Sequence, residues 1–181
     1  MKLIECVPNF SEGNDKDIIN LITSEITKID GVHLLDVDSG ADTNRTVITL
    51  VGDPASVIEA AFLGIKTASK LINMRKHSGA HARMGATDVC PLVPISNTTM
   101  EDCVEYSNRL AKLIGNELKI PVFLYEHSSK SPSKNNLANI RSGEFEGMAE
   151  KMKSAKWKPD YGPTKPHKTA GVTAIGARNF L

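Results

Sequence analysis

The sequence predicts an α/β domain in which a mixed β-sheet of about six strands has helices packed outside it. The chain has 181 residues, of which 40% are hydrophobic and 24% are charged, a balance typical of one globular domain. Strand-like and helix-like segments alternate, and the first six follow the order β-α-β-β-α-β, the start of a split βαβ motif. We therefore interpret residues 1–181 as a single domain.

Apolar runs and period-two alternation predict the strands. Pro8 ends the first of them. Pro91 and Pro94 make the fourth an edge strand or an irregular one, because proline cannot donate to a sheet. The predicted strands are residues 3–7, 32–37, 45–51, 88–95, 121–126 and 171–181.

Apolar residues at three- and four-residue steps predict the helices, and each long helix has a cap signal at its start. Asn14 or Asp15 precedes the first, Asp53 stands before Pro54 at the second, and Thr98 or Thr99 precedes the third. The predicted helices run from about residue 16 to Asp30-Gly31, from 55 to about 73, from about 100 to about Leu118, and over two short pieces at 136–141 and 144–155.

Charge and cysteine content argue against several classes of protein. Lys and Arg number 22 against 21 Asp and Glu, so bulk attraction to nucleic acid is not expected. There is no run of 18 apolar residues and no signal-peptide pattern at the start, so we expect a cytoplasmic protein without a membrane span. The three cysteines include no CxxC pair, which predicts neither a disulfide nor a thiolate zinc site.

The segment RKHSGAHARMGATD, residues 75–88, does not fit the packing pattern. It holds His77 and His81 among glycines, and a histidine in such a loop can act as an acid or a base near neutral pH. Composition alone favours equally a surface loop whose histidines contact only solvent. A metal site is not expected, because Ser78-Gly79 disfavours a helix and no HExxH glutamate is present.

A second polar segment, residues 36–45, carries two carboxylates. Asp36 and Asp38 flank Val37, so alternation sends both side chains to the same face of the strand. Either carboxylate can orient an imidazole and stabilise its cation. The alternative is an ordinary turn, since Asp and Asn are common turn formers, and composition alone favours that alternative.

Cys90 and a lysine-rich stretch each allow a structural and a functional interpretation. Cys90 can serve as a nucleophile, but a cysteine in an apolar strand is more often a buried small hydrophobic residue. The lysines between Lys151 and Lys168 form either a solvated face or a clamp for an anionic ligand. Trp157 and Tyr161 lie within that stretch and either stack on a ligand or anchor the loop.

Three long segments, LIECVPNFSEG, LLDVDSGADTNRTV and KHSGAHARMGATDVCPLVPI, occur in this order and are followed by WKPDYGPTKP and GARNFL. Together they resemble the N-terminal subdomain of the formiminotransferase family over essentially the whole chain. That family transfers the formimino group of N-formimino-L-glutamate to tetrahydrofolate in histidine degradation. The resemblance therefore implies a transferase of one-carbon metabolism with tetrahydrofolate as co-substrate, and a homodimer.

The resemblance also implies roles for individual residues. His81 corresponds to the catalytic histidine and Asp38 to the assisting aspartate. Arg45 and Arg83 are our own candidates for holding the carboxylates of the glutamate substrate, because arginine binds a carboxylate through two hydrogen bonds. The expected folate contacts are Gly162, Pro163, Thr164, Lys165, Pro166, His167, Lys168, Thr169, Ala170 and Gly171, with Ala177 and Arg178 beside them.

Family members have a second, C-terminal subdomain, and their substrates lie between the two. The resemblance ends where that second subdomain would begin, so three alternatives stay open. The chain catalyses formimino transfer itself, or it is a folate-binding half that a separate C-terminal-subdomain protein completes, or it uses a formyl donor. In the first, an imidazole with an unperturbed pKa of about 6.5 suits His81 to take the folate N5 proton and return it to the departing glutamate nitrogen.

Overall fold

The computed structural model describes residues 1–180 and confirms the mixed α/β architecture. The strands are β1 (Leu3–Cys6), β2 (Asn9–Phe10), β3 (Val32–Gly40), β4 (Arg45–Gly52), β5 (Thr87–Ser96), β6 (Val122–Glu126) and β7 (Thr173–Ala177). The α-helices are α1 (Lys16–Thr27), α2 (Pro54–Leu71), α3 (Met100–Leu113), α4 (Leu137–Arg141) and α5 (Glu144–Lys151).

The seven strands form one sheet in which β1 and β2 share a single position between β4 and β5. Counted by position, the order is β3, β4, β1 with β2, β5, β7, β6, which agrees with the predicted number of strands. The first four positions are antiparallel to their neighbours, whereas β5, β7 and β6 run parallel. The predicted split βαβ motif is therefore present and is extended by two parallel strands.

Helices α1, α2 and α3 cover one face of the sheet. Their caps match the predicted signals, since Asp15 accepts from the backbone of Ile18, Asp53 accepts from Ser56, and Thr99 forms a capping box. No helix within residues 1–180 is long and apolar enough to cross a bilayer. The main core between these helices and the sheet includes Ile4, Phe10, Ile22, Ile26, Leu50, Ile65, Leu92, Leu110, Leu124 and Ile175.

The opposite face of the sheet is covered only in part. Phe123 and Tyr125 alternate with the main-core residue Leu124 along β6, so they point to this second face. There they form a smaller core with Met148 of α5 and Ile140 of α4. Over β1, β2 and β4 the same face stays half-exposed, and this open face is where the polar side chains of the candidate site lie.

Three predicted boundaries are corrected by the structure. Strand β3 continues to Gly40, which pairs with Arg45, so Asp38 lies in the strand rather than beyond the predicted strand end at residue 37. Helix α3 ends at Leu113 because the backbone widens into a π turn over Ile114–Leu118. The last strand is shorter than predicted, since its pairing with β6 and β5 ends at residue 177.

Burial along α1 leads to a stability prediction. Ile26 is 0% exposed and lies against Gly64 of α2, whereas Leu21 on the same helix is 52% exposed. Ile26→Ala should lower the free energy of unfolding by about 2–5 kcal/mol, because it removes buried methylene groups and leaves a cavity. Leu21→Ala should change it by at most about 0.5 kcal/mol. Urea titration followed by circular dichroism measures both, and equal losses would contradict this packing.

Candidate functional site

The His loop, residues 77–86, is held by the turn between β3 and β4. Ala80 donates its backbone N–H to Asp42 O (2.9 Å), and Asn44 Nδ2 donates to Ser78 O (3.0 Å). Asn44 has a left-handed backbone (φ 50°), a conformation that asparagine tolerates better than most residues. The loop is therefore fixed mainly by hydrogen bonds to backbone atoms.

The two histidines of the loop have different hydrogen-bond partners. His77 accepts from Arg83 Nε at Nδ1 (3.1 Å) and donates from Nε2 to Asn44 O (3.0 Å), so both of its ring nitrogens are occupied. His81, which is half-buried, donates from Nδ1 to Ala82 O (2.6 Å). A carbonyl oxygen can only accept, so this bond places the proton on Nδ1 and leaves the lone pair on Nε2. Nε2 of His81 is thus the imidazole nitrogen suited to proton exchange.

Arg83 fixes the loop from the α5 side. Its NH1 and NH2 groups donate to Glu146 (2.8 and 2.5 Å), and NH1 also donates to Glu144 (3.2 Å). Its NH2 group further donates to His77 O (2.8 Å). Hydrogen bonding from Arg83 holds the pKa of the Glu146 carboxyl at about 2. Since every guanidinium nitrogen of Arg83 donates within the chain, the predicted grip on a substrate carboxylate would require displacement of Glu146.

The predicted folate segment, the 162–171 loop, crosses the His loop. Ala86 donates its N–H to Ala170 O (2.9 Å), and Gly85 forms a β-bridge with Gly171. A Cβ atom on either glycine would collide with carbonyl oxygens of the facing segment, so this close approach requires glycine. The structure therefore brings together two segments that the sequence separates by more than seventy residues.

A cavity of about 840 Å³, the basic cavity, lies beside the 162–171 loop. Its volume falls within the range of about 300–1,000 Å³ that small-molecule sites occupy. Glu146, the partner of Arg83, also lines it, so the wall of the cavity is joined to the His loop. The basic and apolar side chains of the wall are Arg75, Lys153, Lys158, Lys165, Lys168, Phe145, Met152 and Pro166.

The residues of the 162–171 loop that line the basic cavity differ in exposure and in hydrogen bonding within the chain. Thr164 and Lys165 are exposed and line the basic cavity. His167 lines it too, but its Nδ1 accepts backbone N–H bonds from Thr169 (3.3 Å) and Ala170 (3.0 Å). That nitrogen therefore stabilises the turn of the loop.

A second cavity, of about 360 Å³, lies on the open face, and we call it the arginine cavity. Arg45 of β4 and Arg141 of α4 donate to the same oxygen, Asp88 Oδ2 (3.0 and 2.5 Å). Asp88 is fully buried, and its Oδ1 accepts from Met84 N (2.8 Å), so one carboxylate joins the His loop to the sheet. Burial lowers the pKa of Arg45, and the charge of Asp88 opposes that effect.

Asp36 and Asp38 share one face of β3, as the alternation predicts. They stand opposite Thr49 and Val47 of β4, and both of those residues line the arginine cavity. Directly opposed residues of antiparallel strands point to the same side, so the two carboxylates face the open face. Within residues 1–180 no hydrogen bond joins Asp38 to His81, whose Nδ1 is held by a backbone carbonyl instead. The assisting role of Asp38 stays a prediction.

The remaining predictions concern Ala177 and Arg178 at the end of β7, the role of Cys90, and metal binding. Ala177 is buried and donates its N–H to Ser128 Oγ (2.9 Å), whereas Arg178 lines the arginine cavity rather than the basic one. Cys90 is fully buried, with its Sγ 3.3 Å from that of Cys6, which confirms it as a core residue. Within residues 1–180 no three His, Cys, Asp or Glu side chains form a group able to hold a metal.

Sequence reasoning missed Arg141 and Tyr125. Arg141 lies on a short helix and meets Asp88 across a separation of 53 residues, so no local pattern indicates the contact. Tyr125 belongs to a strand that reads as uniformly apolar, and alternation along β6 is the one signal that places its hydroxyl on the open face.

Comparison with known proteins gives the same family as the residue pattern. The family described as "Formiminotransferase domain, N-terminal subdomain" matches residues 3–178. The chain is 54% identical over 177 residues to a glutamate formimidoyltransferase of Streptococcus pyogenes serotype M1, covering 98% of this chain and 59% of the relative. It is 52% identical over 180 residues to a formimidoyltransferase-cyclodeaminase of Dictyostelium discoideum, covering 99% of this chain and 34% of the relative.

A glutamate formimidoyltransferase of Thermoplasma acidophilum is 48% identical over 183 residues, covering 100% of this chain and 60% of that protein. The chain therefore belongs to the formiminotransferase family and corresponds to its N-terminal subdomain. It spans about three-fifths of the glutamate formimidoyltransferases and about one-third of the bifunctional relative.

The Arg83–Glu146 pair predicts a pH effect on stability. The pKa of Glu146 is about 2 in the folded protein, below its value of about 4.3 in an unfolded chain. The pair therefore stabilises the fold above the unfolded value, and this stabilisation is lost as the pH falls from about 5 to 2. The Glu146 side chain is 62% exposed, so the contribution should be at most about 1 kcal/mol.

Glu146→Gln should accordingly lower the free energy of unfolding at pH 7 and make its decline towards pH 2 shallower. Glu150→Gln is the control, because Glu150 lies on the same helix, is 82% exposed and pairs with Lys153 alone. Denaturant titrations across this pH range, with NMR titration of the carboxyl carbons, give both quantities. A Glu146 carboxyl that titrates near its ordinary value would rule out the described pair.

Proposed function

We propose that this subdomain carries the catalytic histidine for transfer of the formimino group from N-formimino-L-glutamate to tetrahydrofolate. The observation that supports the proposal best is the Nδ1–H bond from His81 to Ala82 O, which leaves Nε2 as a base. Family membership and the names of the relatives support this reaction class and a formimino rather than a formyl donor.

The reaction needs one group that both removes and returns a proton. N5 of tetrahydrofolate attacks the formimino carbon, a new N–C bond forms, and the N5 proton passes to Nε2 of His81. The bond between that carbon and the glutamate nitrogen then breaks, and the imidazolium returns the proton to the departing nitrogen. A histidine is suited to both transfers because it exchanges protons near neutral pH.

The basic cavity is our proposed folate site. It is lined by Thr164–Lys168 of the predicted folate loop, its cationic rim complements the carboxylates of folate, and Phe145, Met152 and Pro166 offer apolar contacts for a planar ring. The His loop does not contribute His81 to its wall, but it is joined to that wall through the Arg83–Glu146 pair. In this proposal Arg83 positions the loop.

Asp38 is proposed to act after the proton has moved. Its exposed carboxylate lies on the open face, where it can stabilise the His81 imidazolium by charge once the donor and folate are bound. The backbone carbonyl of Ala82, which holds Nδ1, supplies the orientation that a buried aspartate provides in hydrolase triads. The three free cysteines support the proposed cytoplasmic location, and the homodimer is a proposal for light scattering to test.

Replacing His81 tests the proposal directly. His81→Gln should lower formimino transfer by about 10²- to 10⁴-fold, the usual contribution of a general acid–base residue. Calorimetry with 5-formyltetrahydrofolate should show unchanged affinity, because the variant leaves the basic cavity intact. His33→Gln, an exposed histidine near the opposite end of β3, is the matched control and should retain the original rate. Unchanged turnover in the His81 variant would remove this residue from the mechanism.

The edge strand β3 favours a second candidate function, a folate-binding half that catalyses only when another subdomain covers that edge. On the edge strand β3, Leu35 is 59% exposed, and Leu34 and Val37 are 37% exposed each. Apolar side chains exposed along a sheet edge are typical of an interaction surface. The occupant we propose is the C-terminal subdomain of the same family.

Mixing experiments separate the two candidates. In the second, the chain alone binds 5-formyltetrahydrofolate without turnover, and adding a C-terminal-subdomain protein from a glutamate formimidoyltransferase restores transfer. Leu35→Ser should weaken that restoration, whereas Leu21→Ser, at an exposed leucine of helix α1 rather than of this strand, should leave it intact. Full turnover by the chain alone would contradict the second candidate.

A further inference from the structure

Three arginines converge on the arginine cavity. Arg45 and Arg141 share a single oxygen of Asp88, and Arg178 adds a third guanidinium to the wall. Glu5 also lines the cavity, and Asp36 and Asp38 stand opposite its lining residues Thr49 and Val47. Three guanidinium groups on one wall offer a carboxylate several charged donors.

Buried donors in the same cavity lack acceptors. Arg141 Nε, Arg178 Nε and the Tyr125 hydroxyl are buried and have no hydrogen-bond partner within residues 1–180. Leaving such a group unpaired costs about 1–3 kcal/mol, so three together at one cavity require a reason. Burial raises the pKa of Tyr125 and outweighs the opposing charge and close side-chain approach of Arg178, so the hydroxyl stays protonated. The set matches a ligand that only accepts hydrogen bonds.

A hydrogen bond and strand pairing link the arginine cavity to Asp38 of the proposed reaction centre. Arg45 Nε donates to Asn9 Oδ1 (3.0 Å), and Asn9 pairs with Val47, which stands opposite Asp38. Asp38 and Asn9 are therefore two strand spacings apart, about 10 Å. Asp38 therefore borders the same open face as the arginine cavity.

We propose that Arg141 and Arg178 bind a carboxylate of the N-substituted glutamate donor, with Tyr125 as a third hydrogen-bond donor. The inference rests on the proposed function and names the subsite that selects the donor. The two oxygens of a carboxylate fit the donor fork of arginine and can accept from the unpaired donors. Folate carries the same glutamyl chemistry in its tail, so the test must distinguish the two sources.

Binding measurements without turnover provide that test. Wild-type chain is titrated by calorimetry with N-formyl-L-glutamate, a donor analogue that cannot react without an acceptor, and separately with 5-formyltetrahydrofolate. Arg178→Gln and Arg141→Lys should each weaken N-formyl-L-glutamate binding by about 10- to 100-fold, the loss expected for a hydrogen bond between charged groups. Affinity for 5-formyltetrahydrofolate should not change. Arg109→Gln is the matched control, because Arg109 is an exposed arginine that pairs with Glu105 on α3.

The outcomes are distinguishable from those of the catalytic proposal. His81→Gln should bind N-formyl-L-glutamate like the wild type, so loss of transfer without loss of binding separates the histidine from this subsite. Arg178 makes no bond to Asp88, so its variant stays informative if a change at Arg141 impairs folding. Unchanged donor binding in Arg178→Gln, no donor binding by the wild type, or a loss confined to 5-formyltetrahydrofolate would each overturn the assignment.

Discussion

One buried carboxylate organises the polar half of the molecule. Asp88 stands at the start of β5 and is fully buried, yet each of its oxygens has a donor: Met84 N on one side, and Arg45 with Arg141 on the other. A buried charge is tolerated only when it is paired and hydrogen-bonded in this way. Because its partners come from the His loop, β4 and α4, Asp88 fixes the loop relative to both sides of the open face.

Most of the fold could be predicted because its signals are local. Caps at Asp15, Asp53 and Thr99, and the apolar periods that follow them, define the three long helices without tertiary information. The end of β3 could not be predicted in the same way. Asp38 and Gly40 have low intrinsic strand preference, so their extended backbone follows from pairing with β4 rather than from their own side chains.

The segments that form the site could be predicted from the sequence, but the roles of the individual residues within them could not. The loop with two histidines stands out in the sequence, yet the residues around them do not distinguish His77 from His81. Only the structure shows that both ring nitrogens of His77 are hydrogen-bonded, to Arg83 and to Asn44. Likewise Arg45 and Arg83 are equivalent carboxylate ligands as sequence, and only the structure shows that Arg83 already pairs with Glu144 and Glu146 and Arg45 with Asp88. Contacts between distant segments decide both cases.

The interrupted N-terminal strand has a consequence for how the chain folds. Cys6 is flanked by Leu50 of β4 on one side and by Leu92 of β5 on the other, so β1 precedes both of its partners in the chain yet lies between them in the sheet. Contacts of such long sequence separation slow folding, because the entropy of closing each loop is lost before the pairing is gained. During synthesis one edge of β1 therefore stays unpaired until β5 has emerged, and an unpaired strand edge is prone to aggregation for that interval.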